Sequence, residues 1–182
     1  MIENIPKIEP SDEKFRILFE LSPLGMAMIE HKTGKFLEVN QSLLNSLNYS
    51  KEEFLSLSFY DITPNEYEEQ EKQQIKDLES TGKFGPNEKE YIKKDGTRYP
   101  IIISGFSFTD SNNKKVVWGI IEDITEKKQY EIIYNDNKNL LEYIAIENSL
   151  QKVLDKIVNL AEKRNPEIIC SILILDETKQ HL

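Results

Sequence analysis

At 182 residues the chain has room for one ordinary domain and part of a second, and 38% hydrophobic with 30% charged residues argues against disorder throughout. A net charge of -9 counts against general affinity for nucleic acid or anionic lipid, so no nucleic-acid partner is expected. One cysteine (Cys170) and two distant histidines (His31, His181) exclude an internal disulfide and leave no metal site; no apolar run nears membrane-span length and MIENIPKIEP carries no signal-peptide pattern, which reads as a cytoplasmic segment without direct membrane insertion.

Residues 1–10 read as a loose tail, and Ser11 can cap a short helix with the stripe Phe15, Leu18 and Phe19, ended by Ser22-Pro23. Gly25–Glu30 and Lys35–Val39 read as a hairpin turning at Thr33-Gly34, with His31 beside the turn, solvent-exposed and inert. Three helix starts follow. Asn40 can accept an orphan amide N–H ahead of Leu43, Leu44 and Leu47; Ser50 with Glu53 forms a capping-box pattern; Thr63 precedes Pro64 and Glu66 at the head of a helix running to about Ser80.

The period then changes to two. Asn87–Lys94, Thr97–Phe108 and Lys115–Ile124 read as a three-strand meander turning at Asp95-Gly96 and Ser111–Lys114. Hairpin strands separated by a block of helices specify an α+β domain: a five-stranded antiparallel sheet with helices on one face, able to enclose a pocket.

Asp123 with Glu126 then starts another helix, along which Tyr130, Ile133, Asn137, Leu140 and Ile144 form a heptad-like seam. The seam reads as a homodimer contact, with Asn137 weakening it but fixing register. A second helix, capped by Asn148 with Gln151, carries Leu150, Val153, Ile157 and Leu160. Ile168–Leu175 reads as a buried strand holding an unreactive Cys170, followed by a turn at Asp176–Lys179; so little follows it that truncation is expected.

From about Phe15 to Thr125 the residues resemble the PAS family. The matching pieces are GKFLEVN ending at Asn40, NYSKEEF at 48–54, YIKKDGTRYP at 91–100 and VVWGIIEDITEKK at 116–128. Each is short; in order and at suitable spacing they are specific. Residues 140–162 and 170–182 resemble the start of a GAF domain, with only its first helix and strand present. The reading divides the chain into a tail (1–14), a PAS sensory domain (15–125), a coupling helix (126–148) and an incomplete GAF start (149–182). The resemblance implies a fragment of a PAS–GAF sensor of the kind found upstream of a histidine kinase or a cyclic-di-GMP enzyme. It departs from the family at Pro64-Asn65-Glu66, where many members carry Pro-Glu-Asp. The following helix lacks the histidine of haem-binding members, and residues 15–125 hold no cysteine for a covalent flavin adduct. A non-covalent small ligand, or none, remains; its identity stays unknown.

The candidate residues follow. Asp123-Ile124-Thr125 matches the family's sheet-to-output-helix motif, and a polar cap at that junction would fix where the helix starts, so that moving the sheet moves the helix. Lys93, Lys94 or Arg98 is a candidate ionic partner for Asp123. Glu71 and Gln74, on one helical face with Ile75 and Leu78, are candidate ligand contacts or merely surface residues. Leu43, Leu47, Phe54, Ile62 and Trp118 are core that can also wall the pocket. No motif for catalysis occurs. The leading reading is a sensor that relays a stimulus from the PAS core to a dimerising helix and a GAF domain. The alternatives are a ligand-free PAS dimerisation module and a regulatory fragment whose catalytic domain lies elsewhere.

Overall fold

The computed structural model describes residues 10–110 and 113–174. In chain order it runs α1 (Pro10–Leu21), β1 (Gly25–Glu30), β2 (Phe36–Val39), α2 (Gln41–Leu47), α3 (Lys51–Leu55), α4 (Phe59–Ile62), a 3-10 turn (Asn65–Tyr67), α5 (Glu68–Thr81), β3 (Lys83–Ile92), β4 (Arg98–Thr109), β5 (Lys115–Asp123), α6 (Thr125–Ile146) and α7 (Leu150–Arg164). Two units divide it, one ending at Glu126 and the other beginning at Lys127.

In the first unit all five strands form one antiparallel sheet in the order β2-β1-β5-β4-β3. The hairpins rest on local chemistry. At the β3–β4 turn Asp95 Oδ1 accepts from the backbone N–H of Thr97 at 2.9 Å. Gly96 there takes a φ of 82°, a region that glycine enters without a Cβ clash. The central pairing is not local: Gly25 lies opposite Ile121 and Glu30 opposite Val116, which closes β1 onto β5. The α+β sheet read from the element order is present.

Central β5 is apolar at both parities, so both of its faces need cover. Val117, Gly119 and Ile121 face a cavity shared with α5. Trp118 points the other way and packs edge-on against Phe15 and Phe19 of α1, at ring-centroid distances of 5.5 and 5.2 Å. The helices are therefore not confined to one face, since α1 covers the second. The main core lies on the cavity side, where Leu43, Leu47, Phe54 and Ile62 join Phe36, Val39 and Ile101.

Several boundaries differ from the sequence reading. Thr63 does not start a helix: its hydroxyl donates to the Phe59 carbonyl at 2.8 Å and closes α4, while α5 begins at Glu68 after the 3-10 turn. Helix α4 itself was not expected; the backbone N–H and hydroxyl of Ser58 both donate to Asp61 Oδ2 at 2.7 Å, enough to hold one short turn. β3 begins at Lys83, ahead of Asn87, and absorbs Gly85-Pro86 in a register shift between Phe84 and Asn87. Helix α1 begins at Pro10, so Ser11 lies inside it and residues 10–14 are helix rather than tail. Helix α7 is capped by Ser149 rather than Asn148. Residues 168–174 form no strand; every strand among the described residues belongs to the one sheet, and a ladder needs a neighbour. Cys170 is consequently half-buried, its N–H donating to Glu162 at 3.0 Å. Leu175, the expected turn at 176–179, and Ser111 lie outside the described residues.

Candidate functional site

Helix α5 and the sheet enclose a cavity of about 80 Å³. Helical spacing brings Glu71, Gln74, Ile75 and Leu78 of α5 to its wall, and strand alternation brings Lys89 and Tyr91 of β3 to face them. β1, β4 and β5 supply the apolar floor through Ala27, Ile29, Ile103, Val117 and Ile121.

The polar part of the wall is an ion pair out of water. Lys89 Nζ lies 2.6 Å from Glu71 Oε1, with side-chain exposures of 2% and 6%. The same Nζ sits 4.9 Å over the Tyr91 ring. Burial pulls the Lys89 ammonium below its ordinary value, and Glu71 opposes that pull. Burial, with the Glu71 charge adding, pushes the Tyr91 phenol up. Gln74 is buried beside the pair, and its Nε2 meets no hydrogen-bond partner among the described residues. His31, read as solvent-exposed beside the turn, is half-buried and also lines the cavity; burial first, then Lys115, holds its pKa down.

Of the residues singled out from the sequence, Glu71, Gln74, Ile75 and Leu78 line the cavity. Leu43, Leu47, Phe54 and Ile62 do not: α2, α3 and α4 press them into the solid core, where the tilted rings of Phe54 and Phe36 have centroids 4.3 Å apart. Trp118 does not either, because strand parity turns it toward α1. Lys89 and Tyr91 were missed. The signal for them is the alternation in NEKEYIKK, which puts Lys89 and Tyr91 on the same face.

Below the cavity β5 runs straight into a second constellation. Asp123 Oδ1 accepts from the N–H of Thr125 at 2.7 Å, at the start of α6. This is a turn closed two residues on; it replaces the expected capping box with Glu126. Ile124 is buried and its N–H donates to the Pro100 carbonyl at 3.2 Å, which pins the junction to β4. None of the three expected cations pairs with Asp123. Lys94 bonds Glu53 at 2.6 Å, Arg98 bonds Glu66 and Glu90, and Lys93 sits over the Tyr99 ring. The partner is Tyr99. Burial raises its phenol, a hydrogen bond from Ser46 of α2 opposes, and the Asp123 carboxylate adds to the rise. In the second unit Tyr130, Ile133 and Ile144 are exposed on α6 and Leu140 is half-buried. Asn137 accepts from the Arg164 guanidinium of α7 at 3.1 Å, a use of its carboxamide that the seam reading did not foresee.

A family model described as a PAS domain matches residues 23–126, more than half of the chain and the whole of the cavity and junction. The chain belongs to the PAS domain family. A methyl sulfide methyltransferase-associated sensor of Methanosarcina acetivorans is 28% identical over 140 residues, covering 76% of this chain and 14% of that protein. A probable diguanylate cyclase of Escherichia coli is 32% identical over 145 residues, covering 78% of this chain and 13% of that protein. The chain thus spans about one seventh of the length of these curated relatives. Among solved structures, a PAS domain from Colwellia psychrerythraea superposes with a TM-score of 0.56 at 20% identity, covering 63% of this chain and 97% of that one. That likeness concerns the fold. The PAS domain here is a sensory domain of the kind carried by signal-transduction proteins. Among the described residues no helix is long and apolar enough to cross a membrane, and no cluster of His, Cys, Asp and Glu has metal-binding geometry.

Proposed function

We propose that this PAS domain senses a small non-covalent ligand in the α5–sheet cavity and relays its presence to α6 through Asp123-Ile124-Thr125. One observation carries the reading: β5 both floors the cavity, through Val117, Gly119 and Ile121, and ends at the junction that starts α6. A ligand that favours one setting of β5 then biases the helix, in proportion to its differential affinity for the two settings. In this reading Tyr130, Ile133, Leu140 and Ile144 form a homodimer seam on α6. Residues 149–182 open a GAF domain, and the output, a kinase or a cyclic-di-GMP enzyme, belongs to a longer cytoplasmic parent. The relatives that carry a similar segment within much longer signal proteins support this placement.

The exposed side chains of Phe106 and Phe108 on β4, together with the α6 stripe, favour a second reading: a ligand-free dimerisation module. Native and denaturing mass spectrometry of the chain separates the two. The sensory reading predicts a stoichiometric extra mass that vanishes on denaturation; a dimer of bare chains favours the second.

A further inference from the structure

We infer that the cavity selects a small, uncharged organic molecule carrying a carbonyl or similar hydrogen-bond acceptor, and that Gln74 reads that acceptor. This rests on the sensory reading of the same cavity and names its ligand class.

Gln74 is 7% exposed and its Nε2 has no partner among the described residues. A buried donor left unpaired costs roughly 1–3 kcal/mol, a cost that an acceptor on a ligand removes. The direction is set by α5, since Gln74 shares its face with Glu71, Ile75 and Leu78, all of which line the cavity. The neighbouring Gln70 is differently placed: its Nε2 is already tied to the Glu88 carbonyl at 3.1 Å.

The charge of the ligand follows from the ion pair. Lys89 and Glu71 neutralise one another at 2.6 Å, and the neighbouring His31 is held toward its neutral form by burial. A carboxylate would enter as a third charge and leave the buried site at net minus one; an ammonium would leave it at plus one. Burying an uncompensated charge costs several kcal/mol, more than a single hydrogen bond to Gln74 returns. The rest of the wall, with Ile29, Ile75, Leu78, Phe84 and Ile103, asks for hydrocarbon. The volume of about 80 Å³ bounds the size. A dry cavity of ~150 Å³ takes up benzene with its six non-hydrogen atoms, so roughly three to four such atoms fit here.

The test compares three probes of about four non-hydrogen atoms on one frame: acetone, acetamide and acetate. Each is titrated into the full chain and followed by amide NMR. Acetone and acetamide should move the Gln74 side-chain amide and the Ile75 and Lys89 signals to saturation, and acetate should bind about tenfold more weakly or worse. Gln74→Met should weaken the ketone about tenfold, the share of one buried hydrogen bond. Binding of acetate as tight as that of the ketone overturns the inference, and so does a Gln74→Met chain that holds the ketone as well as the parent does. If no probe moves a cavity signal, the sensory reading of the cavity falls with it. The preference among probes is read on the unaltered chain, so it stands even if the variant does not fold.

Discussion

Glu71 and Lys89 meet at 2.6 Å almost out of water, which makes each the other's compensating charge. Removing one partner leaves a buried charge. Glu71→Gln should therefore lower the unfolding free energy by roughly 3–5 kcal/mol in urea denaturation. The double variant Glu71→Leu with Lys89→Met should recover most of that loss, because it removes both desolvation costs. A double variant as unstable as the single one would show that the pair itself, rather than its completeness, holds α5 to β3. Glu71 and Gln74 were legible because helical spacing marks a face. Lys89 was not, because a lysine in a strand reads as solvated and its partner is 18 residues away. Glu53 offers a test of the opposite kind. Lys94, and then the Ser50 N–H, holds its carboxyl below the ordinary 4.5. The unfolded chain takes up that proton first, so the stabilisation is full above 4.5 and is lost as pH falls through the folded value. Glu53→Gln should flatten the acid limb of melting temperature against pH; superimposable limbs would remove Glu53 from the account.

Among the elements, Asn40 does more than its sequence signal implied. The reading of a helix cap is correct as far as Leu43, whose N–H it accepts at 3.2 Å. The same oxygen also accepts from Met26 of β1 at 2.9 Å, and Nδ2 donates to the carbonyls of Phe19 and Leu24 at 2.9 Å each. One fully buried carboxamide thus joins the end of α1, the start of β1 and the start of α2. Asn40→Ala orphans four backbone groups and should cost roughly 3–4 kcal/mol. Ser50→Ala, at an exposed cap of similar sequence appearance, should cost about 1 kcal/mol. Equal losses in denaturant titrations would reduce Asn40 to an ordinary cap. Capping chemistry is written within three or four residues and was read at Asn40 and Ser50; the contacts of Asn40 to Phe19 of α1 and to Leu24 lie 21 and 16 residues back and could not be. For the same reason α4 escaped notice, as four residues are too few for periodicity, and Ile168–Leu175 looked like a strand because apolarity alone does not supply a neighbour.

For the molecule as a whole, the order of strands and helices was legible from local turns and period changes, whereas the pairing of β1 with β5 and the position of α1 were not, since both depend on residues about 90 positions or more apart. That long-range closure makes β5 the central strand, and its far end runs into the start of α6. Asp123 holds the first N–H of α6 and meets Tyr99, which in turn meets Ser46 of α2. If this junction is a relay, its loss should loosen the helix start and leave the sheet intact. Asp123→Ala is therefore expected to speed hydrogen exchange in the first turn of α6 about fivefold to tenfold, the scale of one lost cap of about 1 kcal/mol, while the amides of Ile101 and Ile103 keep their protection. Tyr99→Phe should reproduce a smaller part of the effect, because it removes the phenol that orients Asp123. In a longer parent Asp123→Ala should uncouple stimulus from output. A loss of protection spread over β4 and β5 would instead make Asp123 a stability residue of the whole domain, and unchanged exchange in α6 would mean that the helix start is held by Ile124 and its bond to Pro100 alone.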